Sequence, residues 1–197
     1  MRIQRGVPPV TIHGKKVPFR QWVLAIGDGL QESISIGDDP EPSWISLPPE
    51  VHIQYSGDPV KAIVDEIYGE LQHSNGDPGY LRSRAVFTPL NEHVKNVNMT
   101  VLQRLPGEFK EYKSCDTICK GSSTSEADEG QTVQNVGLYL PDTVFGHGQM
   151  YVAVSRVTSP AGLKILTVDE DLATTGFTKN IVYREIFEIW YKLRVHD

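Results

Sequence analysis

Gln149 and Arg156 stand seven residues apart in an uninterrupted helical run from Gln149 to Val157. At a helical period that is about two turns, on a face other than the apolar stripe of Met150, Val154 and Val157. Ala153 lies between them, so a ligand can approach that face closely. A guanidinium grips phosphate oxygens through two parallel hydrogen bonds, and an Arg and a Gln beside small residues therefore suit a phosphate. Spacing alone favours a plain structural role for Arg156, as a cation favourable to the dipole at a helix end. His147, between Gly146 and Gly148, immediately precedes the run. A second constellation is the stretch RAVFTPLNEHVKNVN, Arg84 to Asn98, which reads as strand, polar turn and helix. Thr88 and Asn91 offer a hydroxyl and an amide at the carboxyl end of a strand, where α/β folds place ligands. Free N–H donors at a helix start favour an anion there. Asn91 could also be a simple N-cap.

Apolar periodicity supplies the elements that must position these groups. Phe19, Trp22, Val23 and Ile26 predict a short helix, with Gly27 as its C-cap. Residues 31–57 alternate around four prolines and predict short strands and loops. Asp58-Pro59 is an N-cap followed by proline, opening a helix whose apolar face is Val60, Ile63, Val64, Ile67 and Leu71. Arg84–Phe87 predicts a strand, and Asn91–Leu105 a helix with Val94, Val97, Val101 and Leu105 inward. Val136–Leu140 is a buried-strand pattern closed by Pro141, which cannot donate to a ladder. Leu163–Val168 predicts another buried strand. Ile181–Leu193 predicts a last helix with an Ile186, Ile189, Trp190 and Leu193 stripe assigned to the core.

The 197 residues can bury a substantial core, and 39% hydrophobic with 22% charged residues is the composition of a globular protein. No apolar run approaches the ~20 residues of a membrane span, and MRIQRGVPPV lacks a secretory apolar core. Cys115 and Cys119 predict a reducing, intracellular setting without a disulfide framework. With no second cysteine pair, no structural metal is expected. The net charge of −6 is uneven. Residues 1–20 hold five basic side chains and no acidic ones, residues 21–80 hold eleven acids against Lys61, and residues 81–120 return to +3. Such a chain could offer a local track for a nucleic-acid strand but is not a strong non-specific binder.

The run GQT, then VGLYLP, then FxHGQxYVAxSRV, within Gly130–Leu166, resembles the last motifs of superfamily 1 DNA helicases of the Pif (petite integration frequency) and Helitron types. RAVFTPLN resembles their motif IV. WxLxIGDG, DPxxAIVxxIY and TKNIVYREIF extend the likeness over residues 1–120 and 130–187. The resemblance implies an α/β fold, the second RecA-like lobe of a P-loop NTPase: a mostly parallel sheet flanked by helices, incomplete, after an N-terminal helical and linker region. Its divisions would be residues 1–80 as linker and helices, 81–187 as the lobe, interrupted by a linker at 115–130, and 188–197 as the tail of the last helix.

For this family the resemblance implies ATP-dependent, five-prime to three-prime unwinding of DNA, in repair, recombination or Helitron transposition, in the nucleus. Arg156 would be the arginine finger that reaches the ATP γ-phosphate. Gly130 and Gln149 would lie near that site. Thr88, Asn91, Gln131, Thr132 and His147 would lie nearer the strand or the lobe interface, His147 as a brace. ATP and Mg would be cofactors of the complete enzyme, and single-stranded DNA its partner.

Departures limit what this chain does alone. No GxxxxGK[ST] occurs, and no acidic pair replaces the magnesium ligands, so the sequence reads as starting just after the first lobe. Cys119–Glu129 is Ser-rich and acidic, a linker composition that replaces most of motif V and an inserted subdomain. Asp128 and Glu129 would repel a DNA phosphate. The expectation is a lobe inactive in isolation, with a first RecA-like lobe supplied in trans or not at all. The alternative is a transposon-derived remnant that at most binds nucleic acid or a partner weakly. Ser155, His147 and Asp142 could be drawn as a hydrolase triad, but no nucleophile elbow or oxyanion hole accompanies them.

Overall fold

A computed structural model describes residues 6–36, 43–74, 77–107, 133–142, 146–168, 176–183 and 185. The chain is mixed α/β. Its centre is a parallel sheet of β5 (Arg84–Phe87), β6 (Asn135–Leu140) and β7 (Leu163–Thr167), in that order. Residues 51–53 run beside β7, where Ile165 N–H donates to the Val51 carbonyl at 2.7 Å and Ile53 N–H to the Ile165 carbonyl at 2.8 Å.

Side-chain alternation along β6 explains why helices cover both faces. Val136, Leu138 and Leu140 join the core with Phe19, Trp22, Val23 and Ile26 of α1 (Phe19–Gly27) and Met150 and Val154 of α5 (Gln149–Val154). Tyr139 points the other way, into a second cluster with Ile63, Val64 and Ile67 of α2 (Pro59–Tyr68) and Val97 of α4 (Asn91–Leu102). A strand apolar on both faces is what a parallel sheet between two helical layers requires. Each such aliphatic side chain contributes ~1.5–3 kcal/mol on burial. Both long helices of residues 1–80 thus belong to the layers around the sheet. A hairpin of β1 (Val10–Ile12) and β2 (Lys15–Val17) turns through His13 and Gly14, at φ 47° and 75°. The other elements are the antiparallel trio β3 (Ser33–Ile34), β4 (Trp44–Ser46) and β8 (Phe177–Lys179), the short α3 (Pro78–Arg82) and a 3-10 turn at Pro160–Gly162.

Asp58 caps α2 as its sequence predicts, accepting from Val60 N–H at 2.9 Å and Lys61 N–H at 3.3 Å. Several local expectations are corrected. Gly27 is the last residue of α1 rather than its cap. A Cβ there would lie 2.6 Å from the Tyr151 ring, so glycine serves the packing of α1 on α5. The left-handed residue that closes the helix is Gly29, at φ 65°. Asn91 is inside α4; Leu90 occupies the cap position and no side chain caps the helix. Along α4, which packs chiefly against α2, Val97 is buried but Val94 is 37% exposed. Ile181, Val182 and Tyr183 are not helical. Ile186, Ile189, Trp190, Leu193 and both cysteines lie outside the described residues. Among the described residues, no helix is long and apolar enough to cross a membrane.

Candidate functional site

The parallel strands bring the two sequence constellations together. Phe87 and Leu138 are register partners at the carboxyl halves of β5 and β6. Beyond them the chain turns into Thr88-Pro89 on one side, while α5 descends on the other. Between lies a cavity of about 300 Å³, its walls formed by Phe87, Pro89, Leu138, Val152 and Ala153. Thr88, His147, Gln149 and Arg156 supply its polar groups. Its place at strand carboxyl ends is where open α/β sheets hold ligands.

Arg156 stands just past α5, which ends at Val154 with Ser155 as C-cap, so the expected helix to Val157 is shortened. Its backbone remains tied: its carbonyl accepts from Val133 N–H at 3.0 Å. Its side chain is half-buried, and among the described residues its guanidinium has no hydrogen-bond or ion-pair partner. An unmatched, partly desolvated guanidinium facing a cavity is suited to an anionic ligand.

Gln149 folds back on its own turn, its Oε1 accepting from Gly146 N–H at 3.0 Å. Gly148, at φ 71°, makes that turn possible. His147 Nδ1 accepts from Tyr183 N–H at 2.9 Å, and the two rings stack at 5.4 Å. Gly148 N–H also donates to the Ile181 carbonyl at 3.1 Å. Residues 181–183 therefore clamp the start of α5, and His147 takes part in that clamp. The Thr88 hydroxyl oxygen is buried and has no hydrogen-bond partner among the described residues.

Asn91 is not among the residues around the cavity, and Gly130, Gln131 and Thr132 lie outside the described residues. Ser155, His147 and Asp142 do not form a triad. Ser155 Oγ donates to the Val152 carbonyl at 3.0 Å, His147 Nδ1 is used by Tyr183, and Asp142 meets His93 at 3.0 Å.

Two features were not anticipated from sequence. Phe87, 37% exposed at a strand end, forms a wall of the cavity; its place one residue before the Thr88 turn was the available signal. The His93–Asp142 pair ties α4 to the turn after β6, with Glu92 3.7 Å from His93 and the Tyr139 ring edge-on to it. Burial pushes the Tyr139 phenol above its ordinary range, with Tyr55, Asp58 and Asp142 adding to the effect. Among the described residues no three His, Cys, Asp or Glu side chains are grouped to hold a metal.

The described residues thus define an α/β chain with a three-stranded parallel sheet, helices on both faces and a donor-bearing cavity at its carboxyl end. No family model matches the sequence, and no curated protein matches it.

Proposed function

We propose that the chain is the second RecA-like lobe of a Pif-type or Helitron-type ATP-dependent DNA helicase, contributing Arg156 to a nucleotide site shared with a first lobe. The observation that carries the reading is the half-buried guanidinium of Arg156, without a partner among the described residues, on a cavity at the ends of parallel strands. The motif resemblance supports it, and a parallel sheet between helices is compatible with such a lobe.

In this reading, ATP brings its γ-phosphoryl group against Arg156. The guanidinium's planar donors oppose the charge that develops on the equatorial oxygens as the group transfers. Gln149 and Thr88 orient the phosphate end, and His147 holds the turn that presents Gln149. The P-loop and the Mg ligands come from the first lobe, since GxxxxGK[ST] does not occur in the 197 residues. Single-stranded DNA is the track, and nuclear DNA repair, recombination or transposition the setting.

A second reading is a non-enzymatic remnant that binds nucleic acid or a partner helicase weakly. Purified chain should show no DNA-stimulated ATP turnover under either reading. Joined to a first lobe and a motif V segment from a related helicase, it should turn over ATP if the first reading holds. Absence of turnover in a folded, DNA-binding fusion would favour the remnant.

A further inference from the structure

β5 forms an edge of the parallel sheet. Asn135 N–H donates to the Ser83 carbonyl at 3.0 Å, which sets the phase of the ladder, so Ser83, Ala85 and Phe87 turn their backbone groups to β6. The N–H and carbonyl groups of Arg84 and Val86 therefore point away from the sheet, and among the described residues they have no hydrogen-bond partner. Sheet edges are ordinarily guarded by a lysine, a proline, a bulge or a covering element. Arg84–Phe87 holds neither lysine nor proline. Its one charge, Arg84, is turned onto the α2 face. There Nε donates to the Ile67 carbonyl at 3.1 Å and Nη1 to the Tyr80 carbonyl at 3.2 Å, with the guanidinium 3.7 Å from the Tyr80 ring centroid. Phe87 on the strand, and Leu81 and Leu90 before and after it, are each more than a third exposed.

We infer that this edge is a self-association surface, on which β5 of a second copy adds antiparallel across a two-fold axis at Ala85. The outward groups are symmetric about that residue. Arg84 of each copy exchanges both backbone hydrogen bonds with Val86 of the other, so every outward donor meets an acceptor. Ala85 then faces Ala85 of the second copy as a non-hydrogen-bonded pair, where Cα atoms approach to ~4.5 Å and a small side chain suits the contact. Charge does not oppose the pairing, because Arg84 is committed within its own copy and the exposed Arg82 side chains fall beyond opposite ends of the paired strands. A second copy is the occupant because strand length, the small residue at the axis and the exposed apolar flanks recur on both sides by symmetry. A four-residue edge covers less than the ~1,200–2,000 Å² of a stable complex, so the pairing is weak, with a Kd on the order of 100 µM.

The test uses the full 197-residue chain carrying Cys115→Ser and Cys119→Ser, with Ala85→Cys in one variant and Phe87→Cys in another. Each is exposed to oxidised glutathione at a chain concentration of about 100 µM. The two positions share a face of the strand, and Phe87 is the more exposed. Across the axis only the Ala85 pair falls within the ~4.4–6.8 Å Cα separation of a disulfide, whereas the Phe87 pair is about 13 Å apart. Ala85→Cys should therefore cross-link into dimers about tenfold faster or more than Phe87→Cys, and excess cysteine-free chain should slow it. Random collision gives the opposite order. In sedimentation velocity the wild-type mass should rise toward that of two chains between about 10 µM and 1 mM. Ala85→Lys, which sets like charges face to face at the axis, should stay monomeric with little change in melting temperature. The cysteine comparison decides even where Ala85→Lys fails to fold. A wild-type chain still monomeric at about 1 mM overturns the inference and leaves the edge to a strand of another protein. A rise in mass that folded Ala85→Lys leaves unchanged, or Phe87→Cys cross-linking as fast as Ala85→Cys, overturns it equally. None of these outcomes touches the nucleotide assignment.

Discussion

At Gly137 the sheet and α2 approach closely, and the position gives a quantitative test of the architecture that positions the site. A Cβ added there would meet Ile67 Cγ1 at 2.8 Å, Ile63 Cδ1 at 3.0 Å and Val86 Cγ2 at 3.1 Å, all inside ordinary van der Waals separation. The three neighbours converge on one point, so no single side-chain rotation clears it. Overpacking a filled interior costs ~1–3 kcal/mol, against a gain of ~0.4–1 kcal/mol from a stiffer unfolded chain. Gly137→Ala should therefore destabilise by about 1–2 kcal/mol, a fall in Tm of roughly 2–8 °C at this chain length. Ile63→Val deletes the Cδ1 atom in the way and costs ~0.5–1.5 kcal/mol alone. In urea denaturation of both single variants and the double, the double should be more stable than additivity predicts, by about 0.5 kcal/mol or more. A neutral or stabilising Gly137→Ala, or strict additivity, would mean that α2 does not lie against β6 at this level.

Asp58→Ala removes the acceptor of two N–H groups at the start of α2 and should cost ~0.5–2 kcal/mol in the same denaturation assay; no change would show the cap to be idle. At Glu50, burial works to raise the pKa but is outweighed by the Thr11 hydroxyl, the backbone N–H groups and Lys16, leaving it below 4.5. A depressed carboxyl contributes stability above its unfolded pKa and loses it as pH falls through the folded value. Thr11→Val should accordingly lower Tm at neutral pH and shrink the acid-side loss below pH 4.5, and parallel pH profiles for both proteins would refute this. Single-stranded DNA binding should be weak and fall steeply with salt, given the net charge of −6. Submicromolar affinity in fluorescence anisotropy at physiological salt would contradict that, and Asp128→Lys with Glu129→Ser should strengthen whatever binding exists.

Much of the frame was legible because single residues declared it. Asp58-Pro59 announced α2, Arg84–Phe87 and Val136–Leu140 announced strands, and Met150, Val154 and Val157 announced a buried stripe; all three are buried. What periodicity could not settle was where helices stop and which residues meet across the chain. Arg156 continues a helical pattern on paper, yet Ser155 caps α5 and the Arg156 carbonyl turns to Val133. Gly27 has the look of a C-cap, but its missing Cβ is explained by Tyr151, a contact between residues far apart in sequence. For the site, the polar candidates Thr88, His147, Gln149 and Arg156 were visible as residues. Their convergence on one cavity depends on the parallel register of Phe87 with Leu138, which no local pattern encodes. The clamp of Tyr183 on His147 was hidden for the same reason, since the tail pattern pointed to a helix from Ile181 onward.

The most direct measurement of the central claim is DNA-stimulated ATP turnover in a fusion of this chain to the first lobe and motif V segment of a related helicase, with Arg156 as wild type, Ala and Lys. An arginine finger acts on charge that develops in the transition state, and its loss costs ~10³-fold or more in rate. Arg156→Ala should therefore abolish nearly all turnover while DNA binding and Tm stay close to wild type. Arg156→Lys should restore little, because a point charge does not reproduce the planar fork. If Arg156→Ala instead remains folded and fully active, with at most ~1 kcal/mol lost in stability, Arg156 is a structural cation and the nucleotide assignment is wrong.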